Sequence, residues 1–163
     1  MKKALLSLAL VGTALTYANA QGSLGKGGTQ LNLGLGVSGW GIPVYAGVDF
    51  GVTDDITVGI EGSYRSWKYT SAYRFSIIGV GANANYHFNR ILELPEKMDL
   101  YAGVSLGYFI FNNPSGYSGS LGSSLGFSGQ VGFRYFFTNK VGLQLEAGGG
   151  NVSGGKIGLT FKL

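Results

Sequence analysis

The sequence predicts an all-β protein, an eight-stranded antiparallel up-and-down transmembrane β-barrel. Segments in which large apolar residues alternate with small or polar ones recur along the chain, and this period of two is that of a strand with two unlike faces. After the first twenty residues no apolar stretch is long enough for a spanning helix, although the mean hydropathy is positive. These observations leave a barrel as the expected membrane fold.

The first twenty residues have the pattern of a secretory signal peptide. Lys2 and Lys3 precede an apolar run from Ala4 to Val11, and Ala18-Asn19-Ala20 places small residues at the spacing that signal peptidase requires. The run is shorter than the roughly 20 residues that a spanning helix needs. We therefore expect this segment to direct export and to be removed.

The remaining chain is expected to form one domain. Residues 21–28 are rich in glycine and lack periodicity, which predicts a flexible periplasmic leader, and residues 29–163 are expected to form the barrel. The ten basic residues outside the signal nearly balance the eight acidic ones, so charge gives no support for a nucleic-acid partner. Because cysteine is absent, no disulfide or cysteine-linked lipid is expected, and membrane attachment must come from the fold.

Eight alternating segments are expected to be the strands, an even number that places both ends of the barrel domain on one side. They are Leu31–Val37, Val44–Val52, Ile56–Ile60, Ile78–Phe88, Leu100–Ile110, Leu125–Phe137, Val141–Ala147 and Ile157–Leu163. Short turns at 53–55 and 138–140 indicate the periplasmic side, and the longer connection 89–98 shares that side by parity. The connections at 39–41, 66–73, 112–124 and 149–153 are expected to be modest outer loops.

The position of the large side chains separates a membrane barrel from a soluble one. One face of each segment carries Leu, Ile, Val and aromatic residues, and the other carries mainly Gly, Ser, Asn and Gln. A lipocalin needs its bulky apolar residues inside, whereas a narrow membrane barrel places them outside in lipid. Within the strands, no charged residue lies on the face that carries the large apolar side chains. Arg74 comes nearest to that position, at the edge of a loop. A basic residue at the lipid midplane would cost about 2 to 4 kcal/mol, so this absence favours lipid.

Aromatic residues near the strand ends predict two girdles at the membrane interfaces. One girdle would contain Tyr86, Phe88, Tyr135, Phe137 and Phe161, and the other would contain Trp40, Tyr64 and Trp67.

With these features the chain resembles the small eight-stranded outer-membrane proteins of the OmpA/OmpX-like type, in the porin family of barrel domains. The resemblance is carried by the signal, the eight alternating segments and the last segment, Gly158-Leu159-Thr160-Phe161-Lys162-Leu163, which resembles the signal read by the barrel-assembly machinery. It implies a monomer in the outer membrane of a Gram-negative cell envelope. Its partners would be outer-membrane lipids and, during biogenesis, the barrel-assembly machinery and periplasmic chaperones.

Charged residues on the inward parity predict a charge network in the lumen. They are Asp49, Glu61, Arg65, Arg134, Glu146, Lys156 and Lys162. Because an eight-stranded interior is just filled by side chains, we expect pairs of opposite sign to plug it, and a gated ion path is the alternative. Arg134 is expected to pair with Glu61 or Glu146. Both acids remain candidates because the sequence does not show the register of the strands.

Four apolar residues break the polar-interior rule near the outer end. Phe75, Ile77, Phe109 and Phe111 share the inward parity, which predicts either a bulge that shifts the register or an apolar pocket. Packing of loop residues such as Tyr117 over the barrel is the alternative to an apolar ligand.

The sequence predicts no catalytic, cofactor-binding or metal-binding residues. The single histidine, His87, is expected at the periplasmic end, and no Ser-His-acid set is evident. The leading hypothesis is a non-enzymatic structural or surface-interaction protein with a charge-plugged lumen. The alternatives are a small channel or transporter for ions or an apolar ligand and, third, a lipid A-modifying enzyme.

The signal peptide leads to a direct prediction about the exported chain. Because cleavage is expected after Ala20, N-terminal sequencing of envelope protein should return a chain that begins at Gln21. A chain that retains Met1 in the envelope would contradict the export mechanism.

Overall fold

Eight strands form a closed antiparallel barrel in the computed structural model, which describes residues 22–37, 41–68, 73–114, 122–150 and 154–163. The strands are β1 (Thr29–Val37), β2 (Val44–Gly51), β3 (Ile56–Lys68), β4 (Arg74–His87), β5 (Met98–Asn112), β6 (Ser124–Phe136), β7 (Val141–Gly150) and β8 (Gly154–Lys162). Each strand pairs with its neighbours in sequence, and β1 pairs with β8 to complete the closure. The predicted fold class and the predicted eight strands are confirmed.

Several sequence predictions concern residues outside the described ranges. The signal peptide, Gln21, Trp40 and Tyr117 are among them. Within the described ranges, no helix is long and apolar enough to cross a membrane.

The barrel has two unlike ends. The turn end carries the connections 52–55, 88–97 and 137–140, and the loop end carries the four other connections. Residues 22–28, expected as a flexible leader, lie against the turn end in the structure. Gly27 N donates to Gly51 O at 2.8 Å, and Lys162 Nζ donates to Ser23 O at 3.4 Å.

Strands β3, β4 and β5 are longer than the apolar alternation indicates. The β3–β4 ladder continues as far as the Lys68–Arg74 pair, and β5 begins at Met98 rather than Leu100. The connection expected at 66–73 is correspondingly shorter. Backbone hydrogen bonds sustain a ladder whatever the side chains are, so strand pairing continues where the hydrophobic pattern has ended.

The two faces of the wall follow the predicted parity. Every strand exposes large apolar side chains outward, with Ile60 and Val80 each 61% exposed. Most of the inward residues in the turn-end half are polar and buried. Trp67 was wrongly assigned to an aromatic girdle. It shares the inward parity of Arg65 and stacks on Phe75, with 5.4 Å between ring centroids, whereas Tyr64 does face outward.

Candidate functional site: the charged lumen

Arg134 is the centre of a buried cluster near the turn end, and it is held by acids from two sides of the barrel. Asp99 lies directly opposite it on the neighbouring strand β5, and its Oδ2 is 3.1 Å from Arg134 Nη1. Asp49 reaches Arg134 from β2, across the lumen, with 2.8 Å between Oδ2 and Nη2. Asn32 also donates to Asp49, at 2.8 Å. We call Arg134, Asp49 and Asp99 the arginine cluster.

Lys156 repeats this arrangement further toward the loop end. Glu146 is its cross-strand neighbour on β7, with 3.1 Å between Lys156 Nζ and Glu146 Oε1. Glu61 reaches the same ammonium from β3, and both of its carboxylate oxygens lie 2.8 Å from Nζ. We call Lys156, Glu61 and Glu146 the lysine cluster. Each cluster therefore places two carboxylates around one cation.

Tyr101 connects the two clusters. Its ring lies under the Arg134 guanidinium, 4.3 Å from the carbon to the ring centroid, and its hydroxyl donates to Glu146 at 2.8 Å. Gln144 donates to the same hydroxyl at 2.8 Å. The ring needs a glycine at the facing position on β6, because a Cβ at Gly132 would overlap the tyrosine. The lumen charges thus form one connected polar network.

The predicted partners of Arg134 are wrong. Glu61 and Glu146 are both bound by Lys156, and Arg134 is bound by Asp49 and Asp99. Asp99 was missed because the fifth strand was expected to begin at Leu100, which left this residue beside a loop. Its inward parity with Tyr101 was the signal that could have identified it.

A second missed feature is a hydrogen-bond chain around His87. Nδ1 of His87 lies 2.7 Å from Asp99 Oδ1, and Nε2 lies 2.9 Å from Thr57 Oγ1. This set could not be recognised in the sequence, because its members come from three different strands, β3, β4 and β5. All three side chains are at most 1% exposed, and neither Thr57 nor His87 lines the lumen cavity. The chain extends the arginine cluster and offers no access for a substrate.

A cavity of about 140 Å³ occupies the loop-end half of the lumen. Its floor includes Arg134 and Gln144, and the lysine cluster lies in its wall. From this floor to the turn end, seven large side chains that are almost fully buried close the lumen. They are Arg134, Tyr101, His87, Gln30, Thr57, Thr160 and Asp99. Among the described residues, the cavity is therefore blind toward the turn end.

The four residues of the predicted apolar pocket lie at the loop end of this cavity or beside it. Ile77 and Phe109 line it, Phe75 is buried against Trp67, and Phe111 pairs in register with Ile77. The β4–β5 register runs without interruption, so no bulge produces their inward parity. Arg65 also lines the cavity and pairs in register with Ile77. In the described part of the chain, no group of three or more His, Cys, Asp and Glu side chains is placed to hold a metal ion.

Comparison with solved structures identifies the same architecture in other proteins. The outer membrane protein OprG from Pseudomonas aeruginosa has a TM-score of 0.63 and 13% identity, covering 88% of this chain and 99% of that one. Neisserial surface protein A has a TM-score of 0.58 and 16% identity, covering 83% and 94%. Ail from Yersinia pestis has a TM-score of 0.57 and 12% identity, covering 85% and 100%. No family model and no curated protein matches the sequence, so the similarity is one of fold.

The pairing of Arg134 can be measured with double-mutant cycles. Arg134→Met leaves two buried carboxylates uncompensated and should lower the free energy of unfolding by about 3 to 5 kcal/mol. Adding Asp49→Asn should recover part of this loss, with a coupling energy of about 0.5 to 3 kcal/mol. Denaturant titration of the folded barrel in detergent measures both. Arg134→Met with Asp54→Asn, which removes an exposed turn-end carboxylate outside the lumen network, is the matched control and should be additive within about 0.5 kcal/mol, and a larger coupling there would contradict the structure.

Proposed function

We propose that the chain is a non-enzymatic integral outer-membrane protein with a structural or surface-interaction role and a lumen closed by charge pairs. The observation that carries the membrane assignment is the apolar outer wall. Large apolar side chains are exposed on the outward parity of all eight strands, while the charged residues within the strands face the lumen, except for Lys68 and Arg74 at the ends of β3 and β4. In water this wall would be a continuous exposed apolar surface and would promote aggregation, whereas contact with lipid chains makes the same arrangement favourable.

The dimensions of the apolar band also support a membrane. On β3 the outward apolar residues run from Ile56 to Tyr64, which is about 26 Å along the strand and roughly 20 Å in height at the usual tilt. This approaches the apolar band of about 25 Å in known membrane barrels. The neighbours OprG, Ail and neisserial surface protein A are outer-membrane or surface proteins by name, and they support the same location for this chain. The turn end would then face the periplasm.

The closed lumen favours a structural or surface role over transport. The arginine cluster, Tyr101 and the His87 chain fill the turn-end half, so ions would have to displace paired charges to pass. Thr57 and His87 are buried, so a substrate cannot reach the hydrogen-bond chain that they form with Asp99. This argues against a lipid-modifying enzyme. A second function, binding of a small apolar ligand, is supported by Ile77 and Phe109 in the cavity wall. Binding of an apolar fluorescent probe that is lost in Phe109→Asn would support that alternative.

Sidedness can be tested with two adjacent residues on β5. Val104 is 48% exposed on the outer wall, and Ser105 faces the cavity, where its hydroxyl donates to Gln130 Oε1 at 2.7 Å. Val104→Arg should lower the stability of the barrel in bilayers by about 2 to 4 kcal/mol. Ser105→Arg should cost less, because its charge enters a cavity that already contains carboxylates. Heat-modifiable gel mobility across a urea series reports both. Greater damage from the inward variant in several such pairs would reverse the assignment.

Conductance separates a plugged barrel from a channel. In planar bilayers the wild-type barrel should show no steady ion current, because the turn-end half of the lumen is filled. Tyr101→Ala with Arg134→Ala removes the two largest of the most buried side chains and should produce a measurable current. Phe109→Ala, which changes only the cavity wall, is the control and should remain closed. Steady wild-type conductance would favour the channel alternative.

A further inference from the structure

The charges of the chain are distributed unequally between the two ends of the barrel. Four of the eight acidic residues face the lumen and four lie in the turn-end connections, namely Asp49, Glu61, Asp99 and Glu146, and Asp54, Asp55, Glu93 and Glu96. The sequences of the loop-end connections, 38–43, 69–73, 113–123 and 151–153, contain no charged residue. Beyond the lysine cluster, the charges toward the loop end are therefore all basic: Arg65, Lys68 and Arg74.

Two of these cations form a cross-strand pair of like charge. Lys68 and Arg74 lie directly opposite each other at the ends of β3 and β4, and both are exposed on the outward face. Arg74 Nη1 also donates to Ser66 Oγ at 3.5 Å. Like charges directly opposite in a sheet destabilise it. Since every carboxylate side chain lies in the lumen or at the turn end, an anion from outside the chain is needed to turn this repulsion into attraction.

The register places this pair two outward steps above the last apolar row of the wall. On three neighbouring strands the outward residues change together, from Tyr64, Ile78 and Ile110 to Ser66, Ser76 and Asn112. The next outward step is the Lys68–Arg74 pair. One step of two residues is about 7 Å along a strand and roughly 5 Å in height. The backbone of the pair therefore lies about 10 Å above the last apolar row, and the long side chains of lysine and arginine can reach back into a headgroup layer about 5 to 8 Å thick.

We propose that Lys68 and Arg74 bind the phosphate of a net-anionic lipid headgroup in the leaflet at the loop end. The proposal rests on the membrane function proposed above. A lipid is favoured over a soluble polyanion because both side chains project outward from the wall, two steps above the last apolar row, rather than over the mouth of the barrel. Each basic residue near an anionic membrane surface strengthens the attraction by roughly fivefold, so the pair should contribute about 25-fold.

The test compares refolded barrels in vesicles of phosphatidylcholine alone and of phosphatidylcholine mixed with phosphatidylglycerol. The wild-type unfolding equilibrium should shift toward the folded state in the anionic vesicles by about 25-fold more than that of Lys68→Ser/Arg74→Ser. In phosphatidylcholine alone the double variant should be as stable as wild type or more stable, because the like-charge repulsion is gone. The same two substitutions should thus be destabilising, relative to wild type, only in the anionic vesicles. The difference should vanish at about 1 M salt.

The matched control is Lys26→Ser/Lys97→Ser, which removes two exposed basic residues at the turn end. This control variant changes the net charge by the same amount, at the end of the barrel that also carries four acidic residues. It should keep nearly all of the wild-type shift toward the folded state in anionic vesicles. Equal losses in the two double variants would overturn the proposal in favour of nonspecific attraction. Heparin binding that needs Lys68 and Arg74, with no gain from phosphatidylglycerol, would overturn it in favour of a soluble polyanion. Failure to fold in phosphatidylcholine would instead contradict the membrane function itself.

Discussion

A single constraint governs the lumen: apart from the cavity of about 140 Å³, the interior of this eight-stranded barrel is filled by side chains and leaves little water to solvate charges. Each buried cation must therefore be neutralised by side chains of the wall. Arg134 and Lys156 both solve this with one acid from the adjacent strand and one acid from across the barrel. The cross-lumen contacts of Asp49 and Glu61 tie distant strands together. Since loss of one member leaves an uncompensated charge, the closure of the lumen and the stability of the barrel depend on the same contacts.

The distribution of charge outside the lumen also follows from the free-energy cost of removing charged side chains from water. The middle of the outer wall carries apolar side chains, and exposed charges begin where the ladder has passed the Ser66–Ser76 pair. At the turn end acidic and basic residues occur together, as in the Arg90–Asp55 ion pair. At the loop end only basic residues occur. The barrel therefore has an uncharged apolar belt between one end with charges of both signs and one end with basic residues only. Its orientation decides which of these two ends faces which side of a membrane.

Much of the fold was predictable because a strand in a two-sided wall leaves a period of two in the sequence. The parity of Asp49, Glu61, Arg134, Glu146 and Lys156 followed from that period, and the structure places all five in the lumen network. Errors arose at strand ends, where apolar residues no longer mark the two faces. Asp99 was left beside a loop, and Trp67 was assigned to the outer surface, because neither position lies inside a clear apolar alternation.

The sequence alone determined the number of strands, their two faces and the residue types that each face presents, because these depend on local alternation. Only the tertiary structure decided which charges meet, because pairs such as Arg134–Asp49 and Lys156–Glu61 join residues 85 and 95 positions apart. Their contact depends on the stagger between neighbouring strands and on closure of β8 against β1. A shift of one residue in the register would send every side chain of a strand to the other face, so these contacts are a property of the assembled barrel.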